Sequence, residues 1–273
     1  MTWFDAHNHL QDARLGDPHE VAREMRVAGV DGAIVNATRQ SDWNAVHKLI
    51  AWSMGEEVPE LLPAYGIHPW QAHTAGEGWL DDLQDYLVTH PNASIGEIGL
   101  DGWVDEPTLE VQRPVFAAQL ELAQKMRKTA TIHCLKAWGP LMDELKACPP
   151  TAPFLMHSYG GSIELARELI EMGAFFSFSG HFLQPRKAKV VEVFKQLPQD
   201  RILIETDAPD MAPPGEIVSH PLEDGVNHPA NLAAIGEVLA KELGMRPEAL
   251  AELTTGNAKH CFGVQNAKHC FGV

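Results

Sequence analysis

The sequence predicts a single (β/α)8 barrel, because three of its features agree on that fold. Short apolar runs alternate with segments of helical period along the chain, a pattern typical of βαβ units and a parallel sheet. Eight such units fit within the 273 residues, which matches the size of a TIM barrel. The first run ends in His-Asn-His, whereas a doubly wound open sheet would usually show a glycine-rich turn there. The barrel is therefore favoured over the open sheet.

The predicted strands are short runs rich in Ile, Val, Leu and Phe. In chain order they cover residues 3–6, 33–37, 62–67, 94–98, 129–133, 154–157, 174–177 and 202–206. Helical periodicity lies between them, over residues 19–28, 42–54, 80–89, 109–127, 141–147, 163–172 and 187–197. Two more helical stretches, residues 230–243 and 247–262, complete the fold. No linker or low-complexity segment divides the chain.

The end of the chain carries a duplication. The octapeptide NAKHCFGV at residues 257–264 recurs at residues 266–273, with Gln265 between the copies. One tandem copy is not a solenoid, which needs several stacked units. We expect a barrel domain over residues 1–264 and an extra tail over residues 265–273; a purposeful C-terminal extension is the alternative.

Charge and composition restrict the class of protein. The net charge of −16 argues against broad adhesion to nucleic acid, although bound divalent cations can still attract a phosphate ester locally. There is no apolar run of membrane-spanning length and no signal peptide, so we expect a soluble, cytoplasmic protein without a membrane or an obligate protein partner. Four scattered cysteines form neither a disulfide framework nor a CxxC pair. The 14 histidines are more informative, since several end apolar runs.

The first candidate ligands are His7 and His9, at the end of the first predicted strand. Residues i and i+2 of an extended chain point to the same face, so both imidazoles can reach one ion. Glu97 lies inside the apolar run SIGEIGLD, where a carboxylate is costly to bury unless a cation or a donor satisfies it. We assign Glu97 as a bridge between two cations, because a carboxylate has two oxygens.

Further candidates end later strands. His133 closes TATIH, His157 closes PFLMH, and Asp207 follows ILIET. A barrel brings such strand ends to one rim. Asp207 can ligate a metal, orient the attacking water or accept its proton. Glu205 faces the same way and is interpreted as a supporting or structural carboxylate.

The six residues suit two divalent ions, either Zn²⁺, Mn²⁺ or Mg²⁺, and the histidines favour Zn²⁺ or Mn²⁺. One ion is assigned to His7, His9, Asp207 and Glu97, and the other to Glu97, His133 and His157. Such a centre predicts hydrolysis through a metal-bound hydroxide, with Asp207 and Glu97 as catalytic residues. A catalytic thiol at Cys134 is the weaker alternative, because no motif surrounds it. No GxSxG elbow, P-loop or GxGxxG is present.

Taken together, these motifs resemble those of the TatD-type metal-dependent DNases of the amidohydrolase superfamily. The resemblance runs through FDAHNHL, GIHPW, IGEIGLD, TIHCLKA, MHSYGG, FSFSG, ILIETDAP and TTGNAKHCFG, nearly the whole chain. It implies a TIM barrel with a divalent-metal centre and hydrolysis of DNA phosphodiesters, often from a 3′ end. The family's ligands correspond to His7, His9, Glu97, His133, His157 and Asp207. Hydrolysis of another ester or amide, such as an aminoacyl ester, and a non-catalytic metal-binding scaffold are the alternatives.

Departures from the family concern the substrate. Lys136 stands where the family commonly has an arginine, Tyr159 lies in a changed block after His157, and Asp210 replaces a common aromatic residue. An acidic Asp210 would repel phosphate if it faced the cleft. The candidate substrate-binding residues are His68 in GIHP, Lys136 and Tyr159. For His68, a structural role in packing is the alternative.

Three tryptophans near the predicted rim allow two interpretations. Trp70, Trp103 and Trp138 follow predicted strands or open the next helix. They either stack on a base or pack over the rim.

Overall fold

Eight parallel strands form one sheet in chain order, in a computed structural model that describes residues 1–264. Each strand is hydrogen-bonded to the next along the chain. The strands are β1 Trp3–Asn8, β2 Val30–Asn36, β3 Glu60–Tyr65, β4 Ser94–Asp101, β5 Ala130–Leu135, β6 Phe154–Met156, β7 Ala174–Ser179 and β8 Ile202–Glu205. The predicted (β/α)8 barrel is confirmed. The predicted tail, residues 265–273, lies outside the described residues.

Helices alternate with the strands and cover the sheet. They are α1 Pro18–Val27, α2 Gln40–Ser53, α3 Trp79–Thr89, α4 Leu109–Met126, α5 Trp138–Ala147, α6 Ile163–Glu171, α7 Ala188–Phe194, α8 Leu232–Glu242 and α9 Pro247–Phe262. Short 3-10 segments in the connections, such as Ala13–Leu15, Pro69–Thr74 and Pro185–Lys187, were not expected from the sequence. Within residues 1–264, no helix combines the length and apolarity needed to cross a bilayer.

The seam between β8 and β1 is closed by one buried side chain together with backbone hydrogen bonds. The Asp5 carboxylate accepts hydrogen bonds from the backbone N–H of Thr206 at 2.9 Å and from its hydroxyl at 2.6 Å. The Asp207 N–H donates to the carbonyl oxygen of His7 at 2.9 Å. These bonds join the first and last strands where the candidate ligands lie.

One end of the barrel is covered and the other is open. Helix α9 lies across the amino-terminal ends of the strands, where Asn257 donates to the carbonyl oxygens of Gln199 and Ile202 and the Cys261 carbonyl accepts from Thr129. Buried apolar side chains from the strands, among them Phe4, pack against this helix. The carboxyl ends of the strands are left to form the site.

Candidate metal centre

The carboxylate of Glu97 lies at the centre of the candidate site, and its two oxygens face different groups of ligands. Glu97 Oε2 is 3.3 Å from Nε2 of both His7 and His9. On that side, Asp207 Oδ1 is 3.3 Å from His7 Nε2 and 3.6 Å from His9 Nε2. The two imidazole nitrogens are themselves 3.2 Å apart.

The other oxygen faces three more imidazoles. Glu97 Oε1 is 2.8 Å from His157 Nε2, 3.2 Å from His133 Nδ1 and 3.3 Å from His68 Nε2. His133 Nδ1 and His157 Nε2 are 3.1 Å apart. The structure thus brings together all six predicted ligands. His7, His9 and Asp207 lie on one side of Glu97, and His133 and His157 lie on the other, where His68 joins them.

These separations fit a metal better than a hydrogen-bond network. His7 Nε2 lies within 3.3 Å of three atoms, Glu97 Oε2, Asp207 Oδ1 and His9 Nε2, and one ring nitrogen has at most one proton to donate, so a cation suits this group of atoms better than hydrogen bonds do. Ligands bound tetrahedrally at about 2.0–2.1 Å lie about 3.3 Å from one another. Several of the observed distances between donor atoms are close to that value. Three groups of side chains have ligand atoms close enough together to share an ion, namely His7–His9–Asp207, His68–Glu97–His133 and His7–His157–Glu205.

Burial and charge act against each other at these groups. Burial opposes ionisation of Glu97, yet the surrounding histidines, His157 foremost, hold the pKa of its carboxyl well below its usual range. Burial likewise opposes protonation of His9 and His157, but the neighbouring carboxylates raise the pKa of both imidazoles well above its usual range. The carboxylates therefore stay ionised and attract positive charge, which a divalent cation can supply in place of protons.

Irregular strand register aims the ligands at this point. The β1–β2 pairing shifts between Asp5 and Asn8, around His7, and the β4–β5 pairing shifts between Ile95 and Ile98, around Glu97. Bulges of this kind re-aim side chains near active sites. Strands β6 and β8 end earlier than predicted, so His157 and Asp207 lie just beyond them rather than in or directly at the strand.

Asp101, at the end of β4, is a functional residue that the sequence analysis missed. Its buried carboxylate lies 3.0 Å from His133 Nε2, so it fixes the ring with Nδ1 toward Glu97. A carboxylate that orients a ligating imidazole is a common outer partner in metal sites. The cost of burying a carboxylate in the apolar run that contains Glu97 was the available signal, and it applies equally to Asp101.

Glu205 has the supporting role expected of it. It is fully buried and accepts hydrogen bonds from the Ser158 N–H at 2.8 Å and from the Ser177 hydroxyl. Its Oε1 is 3.6 Å from Nδ1 of His157, whose other nitrogen faces Glu97. The carboxylate thereby holds the turn after β6 and faces His157 at a distance longer than a hydrogen bond.

A cavity of about 900 Å³ opens onto the centre at the carboxyl ends of the strands. Asp210 lines this cavity, the position in which its carboxylate was expected to repel a phosphate. Arg14 Nη1 and Nη2 each donate to that carboxylate at 2.9 Å. The same guanidinium also binds Asp12. The single positive charge of Arg14 is thus shared between Asp210 and Asp12, which reduces their negative charge at the cavity wall without cancelling it.

The three candidate substrate-binding residues have different positions. His68 lines the cavity, is buried, and accepts from the Trp70 N–H at 3.1 Å, while its other nitrogen faces Glu97. Lys136, directly after β5, is exposed, with Nζ 3.8 Å from the ring centroid of Trp103. Substrate contact by these two residues stays a prediction.

Tyr159 contradicts the prediction of substrate contact. It is completely buried, its hydroxyl donates to the Ser162 carbonyl oxygen at 2.7 Å, and its ring packs edge-on against Trp138 and Phe176. The chain turns at Ser158, whose φ is 42°, and this turn directs the phenol between α5 and β7. Both Tyr159 and Trp138 are therefore packing residues.

The alternative of a catalytic thiol also loses support. Burial raises the pKa of the Cys134 thiol to about 12, so it is not a thiolate at neutral pH. Cys134, Cys148 and Cys261 are all free among the described residues.

The barrel and its histidine and carboxylate centre are those of a metal-dependent hydrolase, and comparison with known proteins identifies the family. The family model described as TatD related DNase matches residues 4–263. The chain therefore belongs to the TatD family of metal-dependent hydrolases, as the motifs suggested.

Individual relatives agree with this assignment. The metal-dependent hydrolase YabD of Bacillus subtilis is 30% identical over 263 residues, which are 96% of this chain and 99% of the relative. A protein named 3′-5′ ssDNA/RNA exonuclease TatD from Edwardsiella piscicida is 27% identical over 250 residues, 90% of this chain and 94% of the relative. The crystal structure of the TatD homolog YjjV from Escherichia coli has a TM-score of 0.86 and 27% identity, and covers 96% of this chain and 98% of that one.

Proposed function

We propose that this hydrolase cleaves phosphodiester bonds of single-stranded DNA or a related nucleotide ester, releasing nucleotides from the 3′ end, with two divalent cations held by Glu97. The observation that carries the proposal is the division of Glu97, whose two oxygens face separate groups of ligands. The named activity of the Edwardsiella piscicida relative supports the choice of substrate.

Each cation would have its own ligands. His7, His9 and Asp207 would hold one together with Glu97 Oε2, and His133 and His157 would hold the other together with Oε1. Bound cations supply Lewis acidity, which makes water acidic enough to attack at neutral pH and offsets the charge of the displaced oxygen. Imidazole ligands favour Zn²⁺ or Mn²⁺ over Mg²⁺.

The protein's own side chains would orient the attacking water and the metal ligands and would accept the proton of the water. Asp207 borders the cavity and is adjacent to His7 and His9, so its carboxylate can orient the attacking water and accept its proton. Asp101 keeps the ring of His133 in place, and the Glu205 carboxylate places negative charge beside His157. His68, buried and in contact with Glu97, closes the site on the β3 side.

A chelator-controlled assay tests the proposal. Protein stripped of metal should leave a 3′-labelled single-stranded oligonucleotide intact, and Mg²⁺, Mn²⁺ or Zn²⁺ should restore release of the labelled mononucleotide. A closed circular strand of the same sequence should resist cleavage, because it offers no 3′ end. Equal degradation by stripped and reloaded protein would count decisively against the proposal.

The alternative reactions, hydrolysis of amides or of aminoacyl esters, are tested with the same metal-loaded protein. A panel of amides and aminoacyl esters should be hydrolysed far more slowly than the oligonucleotide. Faster turnover of any of them would replace phosphodiester hydrolysis with carbonyl chemistry at the same centre.

A further inference from the structure

Two tryptophans are exposed on the rim beside the metal centre. Trp70, in the connection after β3, is 49% exposed and lines the cavity, and Trp103, just after β4, is 64% exposed. The other tryptophans of the chain are buried or half-buried. Leu135, at the end of β5, is 41% exposed and lines the same cavity. Large apolar groups gathered in this way usually mark a binding surface.

The two tryptophans are fixed by one carboxylate. Asp101 Oδ2 accepts the indole N–H of Trp70 at 2.7 Å, and Asp101 Oδ1 accepts the backbone N–H of Trp103 at 2.7 Å. The polar group of the Trp70 side chain is thus already satisfied inside the protein, which leaves the faces of its ring for a ligand. Since Asp101 Oδ2 also lies 3.0 Å from His133 Nε2, the tryptophans and a metal ligand share the same support.

The position of Trp70 relative to the centre follows from its contacts. Its ring lies edge-on to that of His68, with centroids 5.1 Å apart, and His68 Nε2 is 3.3 Å from Glu97. One side chain therefore separates the indole from the candidate metal ligands. A planar group beside the reacting phosphate would meet this ring first.

A cation completes the surface. The Lys136 ammonium lies 3.8 Å from the Trp103 ring centroid, and the side chain is exposed. In a chain of net charge −16, the Lys136 ammonium, held on the exposed Trp103 indole directly after the cavity-lining Leu135, provides local attraction for a phosphate. Aromatic faces that alternate with cations are the arrangement by which proteins bind single-stranded nucleic acid.

We propose that Trp70 and Trp103 form a platform on which unpaired bases of a single-stranded nucleic acid stack, with Lys136 contacting a neighbouring phosphate. The inference rests on the proposed function and adds to it the group that is recognised: the base as well as the backbone. Because stacking needs only a π-face, the platform accepts any of the bases.

Abasic oligonucleotides test the platform directly. The metal-loaded, full-length protein is titrated with an oligonucleotide whose terminal phosphorothioate linkages slow cleavage, and with one of equal length that carries abasic sites near the 3′ end. Fluorescence anisotropy gives both affinities. The wild-type protein should bind the natural oligonucleotide at least about tenfold more tightly, a ratio typical of base stacking on an aromatic ring.

Variants assign that preference to the platform. The double variant W70A/W103A should lose most of the preference for bases, and W103F should keep it, because a phenyl ring still stacks and the backbone bond to Asp101 remains. The control W52A removes a half-buried indole that also has a cation over its ring, Arg23, but lies on α2 away from the cavity. It should leave the preference unchanged.

Equal affinity of the wild-type protein for both oligonucleotides, binding to neither, or a full preference retained by W70A/W103A would overturn the platform. Hydrolysis is measured in parallel. Cleavage without any preference for bases would contradict the platform but agree with the proposed function. A preference for bases without cleavage would contradict the proposed function but agree with the platform.

Discussion

A carboxylate as deeply buried as Glu97 needs a cation or hydrogen-bond donors at its oxygens. The structure provides imidazoles at both oxygens, and none of the described lysines or arginines pairs with it. An ion pair with one side chain would need only one oxygen of Glu97. Because potential ligands surround both oxygens, the arrangement suits a carboxylate that bridges two cations. The consequences of changing this residue should therefore be large.

E97Q should bind at most one divalent cation per chain and lose activity by at least about a thousandfold, since an amide has one acceptor oxygen and no charge. Metal analysis after dialysis and the oligonucleotide assay provide the measurements. E237Q, at an exposed position of α8, is the matched control. An E97Q protein with two bound ions and normal turnover would contradict the bridging role.

Asp101 acts on the metal through His133, so its removal should weaken binding without abolishing the fold. D101N should lower metal affinity or activity by about 10- to 100-fold, the usual cost of losing the partner of a ligating histidine. Titration calorimetry with Zn²⁺ measures the affinity. D105N, an exposed change in the same connection, should match the wild type; equal affinities for all three proteins would show that Asp101 does not orient the ring.

The types of residue and their positions in the sequence predicted the metal ligands of this site, but not the contacts that these and neighbouring side chains make. His7, Glu97 and Asp207 could be found because each is a metal-ligand type of side chain near the end of an apolar run. Tyr159 was misassigned because the turn at Ser158, which directs its ring inward, depends on contacts with β7 and β8 that a local pattern does not contain.

At the scale of elements, the seam between β1 and β8 is joined by side-chain as well as backbone hydrogen bonds. Asp5 and Thr206 connect the two strands by two short hydrogen bonds in a fully buried position. A buried acceptor that loses its donor costs more than an exposed one, because water does not replace the bond. The seam also carries His7 and Asp207 into the site.

T206V should lower the free energy of unfolding by about 1–3 kcal/mol, because it removes the hydroxyl donor and leaves Asp5 Oδ2 partly unsatisfied. Urea denaturation of the metal-free protein measures this effect without a contribution from metal binding. T89V, at the exposed last residue of α3, should change stability little. Identical unfolding of both variants would show that the Asp5–Thr206 contact does not hold the seam.

All eight strands and nine helices of residues 1–264 correspond to predicted segments, because each apolar run is separated from the next by a long amphipathic stretch. Their ends were less predictable. Strand β1 continues to Asn8 and β4 to Asp101, since neighbouring strands supply hydrogen bonds beyond the apolar run. Pairing between distant segments decides such ends, and periodicity within one segment does not contain it.

At the scale of the whole molecule, the last helix, α9, ends in a C-terminal cap within the described residues. Helix α9 is followed by Gly263 at φ 65°, and the Val264 N–H donates to the Lys259 carbonyl oxygen at 2.9 Å. This is the pattern of a Schellman motif, which satisfies the last carbonyls of a helix. The first copy of the octapeptide thus already provides the contacts of Asn257 and Cys261 with the barrel.

Deletion of residues 265–273 should therefore leave the thermal unfolding midpoint and the rate of oligonucleotide hydrolysis unchanged. Deletion of residues 257–273 should unfold the protein or lower its midpoint strongly, because it also removes the contacts of α9 with the strands. Differential scanning calorimetry of both truncated chains provides the comparison. A large loss of stability from the shorter deletion would assign a structural role to the second copy.

The most direct test of the central claim is the anomalous scattering of Mn²⁺ in crystals of the loaded protein. The account predicts two peaks about 3.5–4 Å apart, the spacing of two-metal sites. One peak should lie beside His7, His9 and Asp207 and the other beside His133 and His157, with one oxygen of Glu97 bound to each. A single peak, or a pair to which Glu97 contributes no oxygen, would contradict it.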